Sequence, residues 1–312
     1  MTLSAGLHHI TALSGDIRRT HDFYARVLGL RLVKRTVNYD DPASWHLYYG
    51  DAAGTPGTIV SFFSWEDTRQ AQPGAGEAVT IAFAIPPGAA AFWAERLADE
   101  GVTFALDHGA ATPVIALHDP DRIGLELLEE PVRGDAHPAA SEVPFDMAIT
   151  GLSGATLLVD DLESTARVLM DVLGWVESGR AELPGFERVR FTQPGSTSQG
   201  ARIELLRGQS IPPARRGAGS IHHVAFRARD DSDQAEMAAM LRKTGMETTL
   251  QLDRTYFRSV YFREPSGVLF EIATDGPGFA VDENIETMGA MVMLPEKMKA
   301  DRARILAKLP EF

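Results

Sequence analysis

The chain has 312 residues, of which 44% are apolar and 23% are charged, a composition typical of a soluble globular protein. Its 43 acidic residues outnumber its 30 basic ones, and the resulting formal charge of −13 argues against a nucleic-acid partner. The absence of cysteine excludes disulfides, iron–sulfur clusters and thiol nucleophiles, so any metal must bind nitrogen and oxygen ligands.

The N-terminal segment lacks a basic stretch followed by a long apolar one, so a signal peptide is not expected. No apolar run approaches the roughly 20 residues that cross a bilayer. We therefore expect a cytoplasmic protein that has no membrane partner.

The first predicted elements, in residues 9–34, are an alternating strand, a polar break at "SGD" and a helix. Residues 155–177 repeat this order with the strand "ATLLV", the break "DD" and a second helix. The segments "FYARVLGL" and "VLMDVLGW" give both helices the same apolar face. We expect these helices to end at Gly29 and Gly174, where a left-handed residue is needed.

Two fainter copies follow the same order of strand, turn and helix, in residues 78–104 and 221–248. They share an ending, since "HDPDRIGLELLEEP" and "REPSGVLFEIATDGP" each place a glutamate six residues after the proline, at Glu126 and Glu271. Each copy continues into strand-like segments. The repeat therefore predicts an α+β fold of four βαβββ units.

The four units fall into two pairs, residues 1–135 and 145–280, separated by a polar stretch that contains proline. We expect each pair to form one domain. Residues 281–312 are predicted to be a helical tail, with a helix that begins at Pro295. This tail is expected to pack onto the body or onto a neighbouring subunit, which leaves a homo-oligomer open.

Two of the predicted strands begin with a pair of histidines, in "GLHHITAL" and "SIHHVAF". His9 and His223 are each the second of their pair, and each lies seven residues before an aspartate, so they occupy the same place in the repeat. Alternate residues of a strand share a face, so His9 should lie with Thr11 while His8 points to the opposite side. The two members of each pair are therefore predicted to have different roles.

Glu271 lies between Phe270 and Ile272, where a buried carboxylate needs a compensating charge. Two imidazoles and one carboxylate on neighbouring strands are the ligands that hold non-haem Fe(II) and leave coordination positions open. Taken singly, each histidine is better explained as a hydrogen-bonded core residue, and Glu271 fits a pairing with a nearby arginine equally well. The recurrence at matched repeat positions favours a metal site formed by His9, His223 and Glu271.

The repeat, the strand histidines and the ending "EPSGVLFE" resemble the vicinal oxygen chelate superfamily, which includes glyoxalase I, extradiol ring-cleaving dioxygenases and antibiotic-sequestering proteins. Within it, "HHITALSGD", "FYARVLGLRLVKRTVNYDDP", "HLYYGD", "PGTIVSFF" and "YFRSVYFREPSGVLFEIATDGPGF" resemble the ring-cleaving dioxygenases that act on hydroquinones. The likeness covers nearly the whole chain. It implies that the four units form two cupped mixed β-sheet barrels with flanking helices.

A glyoxalase-type site has a second carboxylate on the last strand of the unit that supplies His9, but that strand reads "PGTIVSFFSW" and contains no acid. In catechol-cleaving relatives the first histidine comes from the third unit, where this chain has Ser153 or Gly154. The first ligand must then be His9, with the first and fourth units facing each other across one metal cup. Glu126 matches Glu271 in position, but its unit has no histidine, so we interpret it as a remnant of the repeat or a structural acid.

The resemblance implies an Fe(II)-dependent, extradiol-type dioxygenase that uses O₂ to open the ring of a hydroquinone or related aromatic diol. It also implies His8, Arg254 and Tyr261 as catalytic residues around the metal. Two alternatives stay open: a metal-free protein that sequesters an aromatic compound or antibiotic, and a lyase or isomerase that uses Mn(II) or Zn(II) at the same ligands. His46, in "WHLYYG", fits either a pocket wall or a packed position.

Overall fold

The computed structural model describes residues 4–66, 68–107, 113–132, 134, 137–196 and 200–312. Within these residues the chain forms sixteen strands and five α-helices in the order of four βαβββ units, which confirms the predicted fold class. The boundary predicted between the two pairs of units lies partly outside the described residues. In the described part of the chain, no helix has the length and apolar character needed to span a membrane.

The first two units share one order of elements, a strand, a helix and three further strands. The first unit consists of β1 (Leu7–Ser14), α1 (Ile17–His21), β2 (Arg31–Val37), β3 (Trp45–Gly50) and β4 (Ile59–Ser64). The second unit consists of β5 (Glu77–Ile85), α2 (Ala90–Asp99), β6 (Phe104–Asp107), β7 (Val114–His118) and β8 (Gly124–Glu129).

The last two units repeat this order. The third unit consists of β9 (Gly151–Leu158), α3 (Leu162–Arg167), β10 (Val176–Leu183), β11 (Phe186–Thr192) and β12 (Arg202–Gly208). The fourth unit consists of β13 (Ile221–Ala228), α4 (Asp231–Lys243), β14 (Leu252–Asp253), β15 (Arg258–Arg263) and β16 (Leu269–Thr274).

The units do not form sheets in the pairs in which they follow one another along the chain. The first sheet has the strand order β14–β15–β16–β13–β1–β4–β3–β2 and so combines the fourth unit with the first. The second sheet has the order β10–β11–β12–β9–β5–β8–β7–β6 and combines the third unit with the second. Each curved sheet therefore takes one unit from residues 1–135 and one from residues 145–280, so the division of the sequence differs from the division into sheets.

The centre of each sheet is an antiparallel pair, β1 with β13 and β5 with β9. Each of these strands also pairs in parallel with the last strand of its own unit. All residues of β1 and β9 are buried, as expected for strands covered on both faces. The polar side chains within β1 therefore need partners inside the protein.

Local capping explains the repeated spacing between histidine and aspartate. Asp16 is the N-cap of α1 and Asp230 is the N-cap of α4, and each accepts hydrogen bonds from two backbone N–H groups of its first turn. The aspartate thus marks the start of the helix at a constant distance from the strand histidine.

The predicted helix ends are confirmed at Gly29 and Gly174, whose φ angles are +71° and +74°. Before these glycines, α1 and α3 continue as π-helical turns, Asp22–Val27 and Val168–Val172. The widened turns were not predicted, because the apolar pattern of both segments fits an α-helix equally well.

The C-terminal tail lies along β2, where Arg35 forms a backbone bridge to Val292. One 3-10-helical turn, Phe279–Val281, leads into the tail, which contains a second turn, Glu296–Asp301, and a short α5 (Arg302–Leu306). The tail helix is therefore divided between two helix types.

A buried ion pair joins this tail to the first unit. Lys34, which has no exposed surface, lies 2.6 Å from Asp282 and 2.5 Å from Glu283. The two carboxylates compensate the buried ammonium group, which would otherwise be costly to remove from water.

The acids before the two matched prolines, Asp119 and Glu264, close equivalent turns. Asp119 accepts hydrogen bonds from two backbone N–H groups at 2.9 and 2.8 Å and from the Tyr24 hydroxyl at 3.1 Å. Glu264 accepts bonds from two backbone N–H groups at 3.0 and 2.8 Å and from the Thr165 hydroxyl at 2.5 Å. Each acid thus ties the strand that follows it to the helical segment of the preceding unit.

We predict that Glu264→Ala lowers the free energy of unfolding by about 1–3 kcal/mol, because it leaves buried backbone donors without an acceptor. Urea denaturation followed by circular dichroism measures this loss. The exposed Glu236 on α4 supplies the control, and Glu236→Ala should change stability by less than about 0.5 kcal/mol. Equal losses for the two variants would contradict the assigned role of the turn.

Candidate metal centre

The register of the first sheet places the three predicted ligands on one concave face. In the antiparallel pair of β1 and β13, Thr11 lies opposite His223 and His9 lies opposite Ala225. In the parallel pair of β13 and β16, Ala225 lies beside Glu271. Because alternate residues of a strand share a face, His9, His223 and Glu271 point into the same cup.

A β-bulge interrupts each histidine strand at the first histidine of its pair. His8 in β1 and His222 in β13 are the extra residues at these shifts of register. The adjacent rings come into contact there, with 2.9 Å between Nδ1 of His8 and Nδ1 of His9, and 2.8 Å between the same atoms of His222 and His223. The expectation that His8 points away from His9 is therefore wrong, because strict alternation fails at a bulge.

Three potential ligand atoms converge at the centre of the cup. The Nε2 atoms of His9 and His223 are 3.1 Å apart, and Glu271 Oε2 lies 2.9 Å from the second and 3.5 Å from the first. The three residues are at most 3% exposed. Donor atoms that bind one ion at right angles, each at about 2.1 Å, lie about 3 Å apart, so this spacing suits a single metal ion.

The hydrogen bonds of Glu271 leave one oxygen free to bind an ion. Its Oε1 accepts a hydrogen bond of 2.5 Å from the Ser259 hydroxyl. Its Oε2 is enclosed, and no donor among the described residues reaches it with hydrogen-bond geometry. A buried carboxylate oxygen without a donor is costly unless a cation compensates it. The group of His9, His223 and Glu271 could therefore bind a metal ion.

The protonation states agree with metal binding. Burial on its own would raise the pKa of Glu271, but the neighbouring His9 and His223, through their positive charge when protonated and through hydrogen bonds, lower that pKa well below its ordinary value. Burial lowers the pKa of His223, although Glu271 partly opposes the effect. An ionised carboxylate and a neutral imidazole are the forms in which these side chains ligate metals.

The first histidine of each pair provides a partner for the second ring nitrogen of the ligand. Burial lowers the pKa of His8 well below its ordinary value and the pKa of His222 to about 3, so both rings are neutral. A neutral ring has one nitrogen that can accept a hydrogen bond. Ligating histidines usually donate their second N–H, which fixes the ring orientation. His8 and His222 are thus placed to orient His9 and His223.

A cavity of about 340 Å³ opens beside the ligand atoms, at the lower end of the range for small-molecule sites. Aromatic side chains form much of its wall: His46, Tyr48, Phe63, His222, Phe257 and Tyr261. Trp45 and Phe62 lie in the hydrophobic core and do not belong to this wall. The cavity is therefore suited to a small flat ligand.

Tyr261 lies in this cavity next to the predicted ligands. It pairs with Glu271 across β15 and β16, and its ring centre is 5.7 Å from that of His223. Burial, and then the negative charge of Glu271, raise the pKa of the Tyr261 hydroxyl. The hydroxyl therefore stays protonated at physiological pH and can donate a hydrogen bond.

Arg254 also lines the cavity, whereas His8 lies behind it. The Arg254 guanidinium is 5.4 Å from the ring centre of Tyr261 and donates a hydrogen bond of 3.0 Å to Asp40. The ring of His8 packs against Phe257, with 5.0 Å between their centres. Of the three residues predicted to be catalytic, the structure thus brings Arg254 and Tyr261 to the cavity and places His8 against His9.

Three side chains that the structure places at the site had no functional role predicted from the sequence. Ser259 holds Glu271, His222 contacts His223, and Tyr48 lines the cavity. Alternation along the strands would have indicated two of them, because Ser259 lies two residues before Tyr261 and Tyr48 two residues after His46. The contact of His222 depends on the bulge and has no such signal.

The second sheet has a matching cup with a different charge arrangement. Glu126 occupies the register position there that Glu271 occupies in the first sheet. Arg202 lies 3.2 Å from Glu126, and Glu204 lies 2.7 Å from Arg190 and 3.4 Å from Arg202, so two guanidinium groups compensate the two carboxylates. Glu126 is thus a structural acid, and among the described residues the group around Glu271 alone has the spacing of a metal site.

The fold, the repeat and the buried donor group together define a class of protein. The family model of the Glyoxalase/Bleomycin resistance protein/Dioxygenase superfamily matches residues 6–127 and 151–272, and the chain belongs to this family. The resemblance to the vicinal oxygen chelate superfamily is therefore confirmed.

Two named relatives show which members of this family the chain is similar to. The chain is 40% identical over 308 residues to the "Putative ring-cleaving dioxygenase MhqO" of Bacillus subtilis, covering 98% of this chain and 96% of that protein. It is 29% identical over 312 residues to the "Chlorohydroquinone/hydroquinone 1,2-dioxygenase" of Sphingobium indicum, covering 96% and 94%. These two proteins carry the names of ring-cleaving and hydroquinone dioxygenases.

Solved structures show the same fold. A crystal structure described as a "putative dioxygenase" from Bacillus subtilis superposes with a TM-score of 0.93 at 40% identity, covering 100% of this chain and 98% of that one. Glyoxalase I from Zea mays has a TM-score of 0.63 at 16% identity, covering 86% and 92%. The second likeness concerns the fold alone.

We predict that the native protein binds one Mn(II) ion and that Glu271→Gln weakens this binding by about 100-fold or more, since even residues that only support metal ligands contribute about 10–100-fold. Isothermal titration calorimetry on the metal-free protein measures the affinity. Glu126→Gln is the matched control, because it changes the equivalent residue of the second sheet. Unchanged affinity in Glu271→Gln would contradict the proposed ligand set.

Proposed function

We propose that this protein is an Fe(II)-dependent, extradiol-type ring-cleaving dioxygenase that adds O₂ to a hydroquinone or a related dihydroxylated aromatic in the cytoplasm. The observation that carries the proposal is the convergence of two imidazole nitrogens and one carboxylate oxygen beside an aromatic-lined cavity. The names of the relatives support the same class of reaction.

In this proposal His9, His223 and Glu271 would hold the metal beside the cavity. When bound, Fe(II) supplies the electron transfer between the aromatic ring and O₂. Ser259 fixes Oε1 of the carboxylate, so Oε2 is the oxygen that faces the histidines. His8 acts through His9, whose ring it contacts.

The cavity wall binds the ring of the substrate and excludes water. Phe63 and Phe257 contribute apolar area, and Phe257 also packs against the ring of His9 with 5.0 Å between centres. Aromatic rings pack favourably in offset and edge-to-face contacts. A single-ring compound held by these walls can present a hydroxyl to the ligand group.

Tyr261 and Arg254 stabilise negative charge that develops on substrate oxygen. The protonated hydroxyl of Tyr261 donates a hydrogen bond, and its pKa is raised by burial and by Glu271. Burial disfavours the charge of Arg254, but Tyr261 and Asp40 outweigh this effect and raise its pKa, so the guanidinium stays positive. Fixed donors of this kind are most effective in a site shielded from water.

Oxygen uptake tests this function directly. After anaerobic reconstitution with Fe(II), we expect the native protein to consume O₂ when hydroquinone, methylhydroquinone or catechol is added, with the hydroquinones preferred. His223→Ala removes one ligand and should abolish the uptake. An oxygen electrode and product spectra follow the reaction.

Other outcomes separate the competing functions. Stoichiometric iron binding without O₂ uptake would favour a lyase or isomerase that uses Mn(II) or Zn(II) at the same ligands. Binding of aromatic compounds without any metal binding would favour a sequestering protein. Either result would contradict the dioxygenase.

We predict that Tyr261→Phe lowers kcat by about 100-fold while Mn(II) affinity stays within about threefold of native, because a positioned proton donor contributes about 10²–10⁴-fold to rate. Steady-state O₂ uptake and calorimetry measure the two quantities. Tyr24→Phe removes a buried hydroxyl that donates to Asp119 and does not line the cavity, so this variant should leave kcat unchanged. A parallel loss of metal binding in Tyr261→Phe would instead indicate a structural role.

A further inference from the structure

A chain of hydrogen bonds runs through His46 in the wall of the cavity. Tyr48 Oη lies 3.0 Å from His46 Nδ1, His46 Nε2 lies 3.0 Å from Ser61 Oγ, and Ser61 Oγ lies 2.8 Å from Thr11 Oγ1. Tyr48, Ser61 and Thr11 are buried, and His46 is partly exposed. The roles proposed for the metal ligands, Tyr261 and Arg254 do not explain why these four side chains are hydrogen-bonded in series.

The chain follows one row of side chains across neighbouring strands. Tyr48 lies opposite Ser61 in β3 and β4, and Ser61 lies beside Thr11 in β4 and β1. The next strand continues the row with His223, which lies opposite Thr11. One end of this hydrogen-bonded row is therefore a tyrosine hydroxyl in the cavity wall, and the other is the buried hydroxyl of Thr11, a residue that pairs with the ligand His223.

All the hydrogen bonds in this series can form with their protons pointing in either direction. Burial, and then the charges of His9 and His223, lower the pKa of His46 well below its ordinary value, so the ring is neutral. A neutral imidazole has one N–H and one free lone pair, and each hydroxyl can donate one bond while accepting another. Reversing every bond moves one proton from end to end without ionising any member.

We propose that His46 is a proton-relay residue, which passes a proton along Tyr48, His46, Ser61 and Thr11 between a hydroxyl of the aromatic substrate and an oxygen atom beside the ligands. This inference rests on the proposed function. Opening a dihydroxylated ring requires that a hydroxyl proton be removed and that a proton be returned to an oxygen of the product.

The relay conserves protons and moves no electrons. The substrate hydroxyl gives its proton to Tyr48, which passes its own to His46 Nδ1. Nε2 of His46 releases its proton to Ser61, Ser61 passes one to Thr11, and Thr11 delivers one to the product oxygen. O₂ is reduced and the ring carbons are oxidised elsewhere in the site, and the product retains every hydrogen of the substrate.

Packing holds the imidazole in the position that the relay requires. Its ring centre lies 4.0 Å from that of Tyr48 and 4.2 Å from that of Phe63. These contacts restrain the ring while both nitrogens bond to hydroxyl groups. Phe63 therefore offers a control position, since it shares the wall but has no polar atom.

Spectroscopy tests the chain without any metal. In the ¹H–¹⁵N spectrum of histidine-labelled, metal-free protein, we expect His46 to be neutral and its ring N–H to exchange slowly with solvent. Tyr48→Phe should shift its Nδ1 signal and Ser61→Ala its Nε2 signal. Unchanged His46 signals in both variants would show that the chain does not form and would overturn the relay.

Enzyme kinetics test whether the reaction uses the proton relay. His46→Gln keeps an amide that can bond to both neighbours but cannot exchange protons through its nitrogen and oxygen as an imidazole does. With Fe(II) and hydroquinone, we expect kcat to fall by about 100-fold, KM to stay within about threefold, and the slowing in D₂O to increase. Phe63→Leu should change KM more than kcat. Ser61→Ala, which breaks the next link, repeats the test if His46→Gln does not fold.

The outcomes separate the relay from the function on which it rests. If the native protein consumes O₂ and both His46→Gln and Ser61→Ala keep native kcat and native solvent isotope effect, the relay alone is wrong. If KM rises while kcat is unchanged, His46 is a wall residue and the relay is again wrong. If the native protein consumes no O₂ with any of the three substrates, the dioxygenase and the relay fail together.

Discussion

The antiparallel pairing of β1 with β13 is the interaction on which the rest of the structure depends. It brings together His9 and His223, which are 214 residues apart in the sequence, and places the first and fourth units in one sheet. Because side chains alternate along a strand, a slip of one residue in this pair would turn one histidine away from the cup. The register Thr11 to His223 thus determines the spacing of the ligands.

The two sheets compensate the charge of a matched glutamate by different means. Each has a glutamate at the matched position of its last strand, and each must compensate the charge. In the second sheet, Arg202 brings a fixed charge and donors that satisfy Glu126. In the first sheet, two imidazoles surround Glu271 and leave Oε2 without a hydrogen-bond donor. One scaffold therefore forms a closed ion pair in one cup and an open set of ligand atoms in the other.

The candidate site was predictable where the repeat makes a local pattern. Matched positions singled out His9, His223 and Glu271, and the family resemblance singled out Tyr261, which the structure places in the same cup. Their roles stay predictions. The predicted orientation of His8 was wrong because a bulge adds one residue to the strand. Whether a bulge forms depends on the pairing of two strands that are distant in the sequence. For the same reason, the contact of His222 with His223 could not be predicted from the sequence.

The sequence by itself determined the four units, the capping aspartates and the glycines that end the helices, since these features depend on hydrogen bonds and dihedral angles within a few residues. It also determined that any metal would bind nitrogen and oxygen. Only the tertiary structure decided that Lys34 binds the tail, that Arg202 closes the second cup and that His46 connects Tyr48 to Ser61. Most of these contacts join residues from different elements of the chain, and their energies depend on strand register and burial, which no local pattern records.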